Sequence, residues 1–374
     1  MILPLALTLL AMPQETVPLS EPVRAGVVNP RQLTFSPDLV RRLRAPKGYR
    51  VTLFANGLKE PRLMIPLEDG TLLVSSPSGE GVFAVKEGGL PKQVLSGLKG
   101  AHGLARRGDR LYVAGGTEMM IADLAPAGEL RNAKRIVTDL PQPGQHGKRC
   151  IAFGPDGMLY MTIGSRTNDR PVAGEKEDAC ILVMDPAGQG RRVFAKRLRN
   201  TMAFTWNPTT KEMWGFDQGA DYRGDNIPPE ELNRIKDGGD YGWPYVYGQR
   251  RLDPNNYLVP EGETSLEVYA RKTEPSALEL PAHSSPIATA FYDGALYVTM
   301  RGSWNRSKPQ GYNITKISFD AAGRPAKSEV FVDGFLTDGG KAYVGRPSGL
   351  AIAADGTMYV SDDANGAIYK IARG

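Results

Sequence analysis

An Asp-Gly turn or a close variant of it, followed by an apolar strand and then by a second strand beyond a polar loop, recurs six times along this chain. The copies are LEDGTLLVSSPSGEGVFAV from Leu67, ARRGDRLYVAGGTEMMIADL from Ala105, FGPDGMLYMTIG from Phe153, WNPTTKEMWGFDQGAD from Trp206, FYDGALYVTMRGSW from Phe291 and AADGTMYVSDDANGAIYKI from Ala353. Asp-Gly between alternating apolar runs signals a hairpin, because a type I′ turn needs positive φ at both central residues. Each copy is therefore expected to be an antiparallel hairpin. The copies recur every 40 to 85 residues or so, which leaves room for four strands per unit and matches the period of propeller blades. An isolated blade exposes both faces, so neighbours must stack to bury them. The expected fold is all-β, a six-bladed β-propeller of four-stranded antiparallel blades. Its ring is expected to close through the N-terminal strand GYRVTLFA, from Gly48, laid beside the C-terminal AIYKIARG. A β-sandwich also contains many short strands, but it does not explain six related hairpins. The expected organisation is a leader over 1–20, an arm over 21–46 and a single propeller domain over 47–374.

The 43 Gly and 29 Pro suit a turn-rich chain and argue against long helices. The net charge of +5 arises from 46 basic and 41 acidic residues that are interspersed rather than clustered, so nucleic acid is not an expected partner. The apolar run Ile2 to Ala11 is too short to span a bilayer and resembles the core of a secretory signal, although no Lys or Arg precedes it. Periplasmic or secreted localisation is expected, with no stable membrane span. Cys150 and Cys180 are the only cysteines. They fit either one disulfide or two buried thiols, and no C-x-x-C-H haem motif is present.

The loops before the blade-opening strands carry the unusual residues. All three histidines of the chain stand there: His102 in KGAHGLA, His146 in GQHGKRC and His283 in AHSSPIA. Three rare residues at equivalent blade positions should meet at one mouth of the channel, although a shared metal is not assured by that placement. Arginines occupy the same positions: Arg62 in EPRLM, Arg199 beside Asn200 in LRNTMAF, and Arg346 in GRPSGLA; Arg301 follows the strand LYVTM. Guanidinium groups around one funnel favour an anionic, oxygen-rich ligand, because they pair bidentately with carboxylates. The longest departure from the repeat, Asp217 to Gly248, is rich in carboxylates, amides and Gly. That composition suits a hard cation, yet the spacing of a helical calcium loop is missing.

At these residues the chain resembles the glucose and sorbosone dehydrogenase family. The strings that carry the resemblance are the His146 loop leading into IAFGPDGMLYMTIGS, LRN before a strand, GADYRGDN-PPEELNRIKDGGDYGWP, HSSP, RGSWNR and GRPSGLAIAADGTMYVSDD. The likeness runs from about Gly48 to the C-terminus. It implies pyrroloquinoline quinone and Ca2+ as cofactors and a sugar or aldehyde as substrate. It places His146 as the base that takes the hydroxyl proton while hydride passes to the quinone. Arg199 and Asn200 fall on the family's Arg-Asn pair beside the cofactor, with Arg199 flanking the base as a second catalytic residue. The backbone carbonyls of Gly219 and Ala220 match the calcium ligands. Arg62, Arg301, Arg346, His102 and His283 are implied cofactor or substrate contacts. With no haem in the chain, electrons are expected to leave to a separate cytochrome or quinone.

Two departures stand out. The residue after TIG, often an Asp that supports the base, is Ser165, so no carboxylate is expected to orient His146. The second arginine near Arg346 is replaced by Ser348. Both point toward the sorbosone-like branch. They are also the best argument for a non-catalytic ligand-binding propeller. A metal-dependent lactonase-like hydrolase is the other alternative, recruiting Asp217, Asp225 and Asn233 as metal ligands.

Overall fold

The computed structural model describes residues 27–374; the expected leader lies outside the described residues. Six four-stranded antiparallel sheets follow one another along the chain. Their first strands are Met64–Pro66, Gly103–Arg107, Ile151–Phe153, Thr201–Trp206, Pro286–Tyr292 and Pro347–Ile352. The sixth sheet takes its outer strand from the other end of the chain: Tyr49–Ala55 pairs antiparallel with Ala367–Arg373, Tyr49 opposite Arg373. The terminal segment GYRVTLFA thus lies where its alternation placed it.

The turns differ from expectation in detail. Among the six repeated turns only Asp293 and Gly294 both have positive φ, as a type I′ turn requires. At Asp69, Asp156 and Asp355 the Asp keeps a negative φ and its Oδ1 accepts the amide two residues on, at 2.9 to 3.0 Å. Gly70, Gly157 and Gly356 carry the positive φ alone. Gly70 N donates to Leu67 O and Leu67 N to Thr71 O, which is the three-residue hairpin, a type I turn closed by a bulge. The short Asp side chain stabilises that geometry locally, so Asp-Gly marks the hairpin without dictating its class.

Hydrophobic residues fill the space between consecutive sheets rather than one central core. Leu73 and Leu95 of the first sheet pack with Leu104 and Val113 of the second. Met119 and Tyr112 of the second meet Leu159 and Leu182 of the third, and Ile181 of the third meets Phe204 of the fourth. The series continues with Trp214 against Val298, Tyr297 against Val360 and Ile368 against Val74 of the first sheet. Polar links run parallel to these contacts. Cys150 Sγ donates to Met202 O at 2.8 Å, Gln218 Nε2 to Pro286 O at 2.7 Å and Ser361 Oγ to Arg62 O at 2.8 Å. This arrangement is consistent with a β-propeller.

Two features lie outside the repeat. Arg31–Gln32 of the arm joins Ala342–Tyr343 and Leu336–Thr337 in a small sheet. The fourth sheet is interrupted before its outer strand, Leu278–Leu280, by an excursion holding the short helix Leu266–Lys272, whose first turn is capped by Ser265 Oγ accepting from Val268 N at 3.2 Å. Both cysteines are buried and unbonded, which decides between the two readings of them. Among the described residues no helix is long and apolar enough to cross a membrane.

Candidate functional site

The loops that precede the first strands converge on two adjoining cavities of about 290 and 210 Å³, which share Gln145, His146, Gln218 and Ser285. A third cavity of about 400 Å³ lies among hairpin-turn residues such as Asp69 and Arg106, and none of the candidate residues lines it.

His146 lies at the junction of the two lobes. Its Nδ1 stands 2.9 Å from both the carbonyl oxygen and the hydroxyl of Ser165. The Ser165 hydroxyl donates to Thr167 O at 2.6 Å, so it too presents lone pairs to the ring. A carbonyl can only accept, which assigns the proton to Nδ1 and leaves the lone pair on Nε2. No hydrogen bond reaches Nε2 among the described residues. The expected gap behind the base is therefore filled by Ser165 itself, through its backbone. Gly164 permits this approach, since a Cβ there would stand 2.6 Å from His146 Cβ and 2.8 Å from Asn200 Oδ1. Burial, reinforced by the Arg199 charge, pushes the His146 pKa down to about 3.

The larger lobe is basic. Arg62, Lys148 and Arg301 face Glu60 and Asp363 there, three cations against two carboxylates. Asp363 Oδ2 bridges Arg62 Nη1 and Arg301 Nε, the latter at 2.7 Å. Lys148 pairs with Glu60. Burial and the nearby Arg62 charge lower the Lys148 pKa. Asp363 is driven up by burial, but Arg62 and Arg301 outweigh that and hold it below the usual carboxylate range.

The smaller lobe is rich in oxygen. Arg199 lines it, but its guanidinium is committed: Nε to Asn168 O at 2.9 Å, Nη1 to Gln218 O at 3.2 Å, and Nη2 to Asn168 Oδ1 and Asp221 Oδ2 at 2.7 and 3.0 Å. The loop carrying Arg199 and Asn200 is held by Asp217, whose carboxylate accepts both backbone amides at 2.8 Å and the Thr201 hydroxyl at 3.0 Å. Burial nevertheless raises Asp217 to about 6. Asn200 lines the basic lobe and donates to Gln218 Oε1 at 2.9 Å. His283 lines the smaller lobe with φ of +61°; its Nε2 donates to Gly224 O at 2.8 Å and its Nδ1 accepts from Asn305 Nδ2 at 3.5 Å. Glu230 is buried against the same cavity, and desolvation raises its pKa to about 8. Gly219 lines this lobe, and Ala220 is buried next to it.

Two candidates stand behind the lining. His102 is fully buried, accepting from Arg62 Nε at 3.4 Å and facing Arg149 O through Nδ1 at 3.1 Å; it holds Arg62 and does not reach the cavity. Arg346 donates to the carbonyls of Arg301 and Gly302 at 3.3 and 2.5 Å and lies over the rings of Tyr312 and Tyr343; it braces the loop that presents Arg301.

Several lining residues were not anticipated: Glu60, Lys148, Asp363, Asp221, Glu230, Trp304 and Asn305. Lys148 sits two residues beyond His146, and Asp363, Glu230 and Trp304 fall in or beside strings already singled out, so proximity was the available signal. The three residues of the hydrolase alternative do not converge. Asp217 is spent on the loop carrying Arg199 and Asn200, Asn233 bonds Glu231 at 3.2 Å, and Asp225 takes the Ser307 amide at 2.9 Å. Among the described residues no cluster of His, Cys, Asp and Glu suits a metal by itself.

Stacked four-stranded sheets with a polar funnel at the ends of their first strands define a propeller-like protein with a binding site at one mouth. The chain belongs to the TrAA12-like family, whose profile matches residues 43–374. An uncharacterized protein of Borreliella burgdorferi is 28% identical over 358 residues, covering 89% of this chain and 92% of its own. A pyrroloquinoline quinone-dependent pyranose dehydrogenase of Coprinopsis cinerea is 35% identical over 124 residues, which is 28% of this chain and 17% of that enzyme. The holo form of its PQQ domain superposes with a TM-score of 0.75 at 22% identity, over 93% of this chain and all of that one. The calcium structure of the Trichoderma reesei AA12 enzyme does so with a TM-score of 0.79 at 20% identity, over 92% and 99%. At those identities the structural likeness speaks to the fold.

Proposed function

We propose that this protein is a pyrroloquinoline quinone- and calcium-dependent oxidoreductase that oxidises an aldose or a sugar aldehyde, with His146 as the base. We read its fold as a single six-bladed propeller over 47–374 whose ring is closed by Tyr49–Ala55. The observation that carries the reading is the His146 ring: Nδ1 tied to Ser165 and an unengaged Nε2 at the junction of a basic lobe and an oxygen-rich lobe.

The two lobes fit the two groups. Three cations against two carboxylates leave the larger lobe short of negative charge, which suits a planar ligand bearing carboxylates. Orphaned carboxylate and amide oxygens in the smaller lobe suit a hard cation. The Coprinopsis enzyme named as PQQ-dependent and the calcium structure from Trichoderma support the same pair of cofactors. Bound there, the quinone supplies the hydride acceptor, and the cation polarises it.

His146 Nε2 then accepts the proton of the substrate hydroxyl. A pKa of about 3 in the protein alone keeps the ring neutral at every physiological pH; carboxylates of a ligand in the basic lobe bring it back toward the useful range. Arg62, Arg301 and Lys148 hold the anion, Asn200 and Arg199 line the space beside the base, and His102 and Arg346 position Arg62 and Arg301 from behind. Electrons leave to an external cytochrome or quinone, and the protein works in the periplasm or outside the cell. The Ser165 and Ser348 substitutions support a reading as a member of the sorbosone-like branch.

Titration of cofactor-free protein with pyrroloquinoline quinone and calcium, followed by aldose oxidation with an artificial dye, tests the reading. Quinone uptake and dye reduction are expected. Folded protein that neither takes up the quinone nor reduces the dye overturns it.

A further inference from the structure

Two buried side-chain oxygens in the smaller lobe have no partner: Glu230 Oε2 and Asn305 Oδ1. Their residues are 2% and 7% exposed. Both orientations are locked. Glu230 Oε1 accepts the Ser285 amide at 2.9 Å. Asn305 Nδ2 is committed to Asp221 Oδ1 at 2.8 Å and to His283 Nδ1 at 3.5 Å, so turning the amide would set its oxygen against two acceptors. Buried acceptors are almost always satisfied, and two orphans on one small cavity mark a place for a group that only attracts lone pairs. Arg199 does not fill that role, because its guanidinium is directed to Asn168, Gln218 and Asp221.

We propose that Glu230 Oε2 and Asn305 Oδ1 are direct ligands of the calcium ion, beyond the backbone carbonyls of Gly219 and Ala220, and that they form a cation site already assembled in the absence of the quinone. The inference rests on the calcium reading above and extends it to side chains. One carboxylate and neutral amide and carbonyl oxygens are the ligand chemistry of calcium, which accepts irregular oxygen shells that magnesium does not.

The test uses chelator-stripped, cofactor-free full-length protein. Calcium affinity is measured by calorimetry, and terbium is used as a calcium surrogate whose luminescence is sensitised by Trp304, which lines the same cavity. The wild-type protein is expected to bind one calcium without quinone, with terbium luminescence that calcium displaces. Glu230→Gln, close to isosteric, is expected to weaken calcium at least tenfold while circular dichroism stays unchanged. Asn305→Ala is expected to weaken it in the same direction, and it decides the matter should Glu230→Gln fail to fold. Wild-type affinity in the folded variants, or no calcium binding by the wild type without quinone, overturns the proposal. Quinone uptake separates this from the broader reading. Calcium lost in Glu230→Gln with no quinone uptake by the wild type keeps the cation site and removes the oxidoreductase; sugar oxidation with unchanged calcium affinity does the reverse.

Discussion

Asp363→Asn should be among the most damaging single changes in the protein that leave shape intact. Asp363 is 1% exposed and Arg62 6% exposed at the side chain, so their pair is buried, whereas Arg301, at 27%, is in contact with solvent. Removing the charge leaves the Arg62 guanidinium buried without an anion, and breaking one partner of a buried pair costs about 3–5 kcal/mol. The more exposed Arg301 contact adds at most about 1 kcal/mol once solvent screening is allowed for. A total near 4 kcal/mol, divided by a urea dependence of about 3 kcal/mol/M, lowers the unfolding midpoint by about 1.3 M. Urea denaturation at pH 7 and low salt, followed by tryptophan fluorescence, reads this directly. Replacing the arginine as well, in Asp363→Asn with Arg62→Met, should recover most of the loss, because the uncompensated charge is then gone. A midpoint shift below about 0.3 M, or a double variant no more stable than Asp363→Asn, would refute the assignment of Asp363 as the charge that holds the basic lobe together.

Other outcomes follow from the proposed role of His146 as the base. His146→Ala should reduce turnover to background, whereas Ser165→Ala should lower kcat less than about tenfold, because the backbone carbonyl still fixes the tautomer; steady-state dye reduction measures both. Gly164→Ala drives a methyl against His146 Cβ and should lower kcat about 100-fold with little change in KM, since small misplacements of a catalytic group are costly. Stability should fall on acidification. His146, lowered to about 3, and His102, well below its usual value, are neutral in the folded protein and protonate in the unfolded chain below about pH 6.5. The stability they contribute is complete above that pH and is lost as pH falls toward the folded value. His146 accounts for about 3 kcal/mol of loss by pH 4. Urea midpoints at pH 7, 5 and 4 check this, and His146→Asn should flatten the profile.

The hairpins were legible in the chain because their causes are local: period-two alternation, and an Asp whose side chain bonds the amide two residues on before a Gly with positive φ. The pairing of the N-terminal strand with the C-terminal one is legible for a related reason, since both segments alternate and Ala367–Arg373, paired on one side with Met358–Asp362, leaves its other edge for Tyr49–Ala55. At three of the Asp-Gly sites the turn departs from type I′ because the dipeptide is compatible with two hairpin geometries. That His146, Arg199 and Asn200 line the cavities accords with their place among the loop positions that the sequence singles out. What the sequence could not reveal is which of the gathered residues face the cavity. Arg62 and Asp363 are 301 residues apart, and Glu60 and Lys148 are 88 apart; these pairs exist only because the stacking of sheets brings loop ends together. The same stacking puts His102 and Arg346 one layer behind the lining and brings Glu230 and Asn305 to it. Local patterning along the chain determined where strands and candidate loops lie, since strand and turn energetics act between near neighbours. The tertiary structure decided which side chains share a cavity, because charge pairing and burial depend on distances that no local pattern encodes.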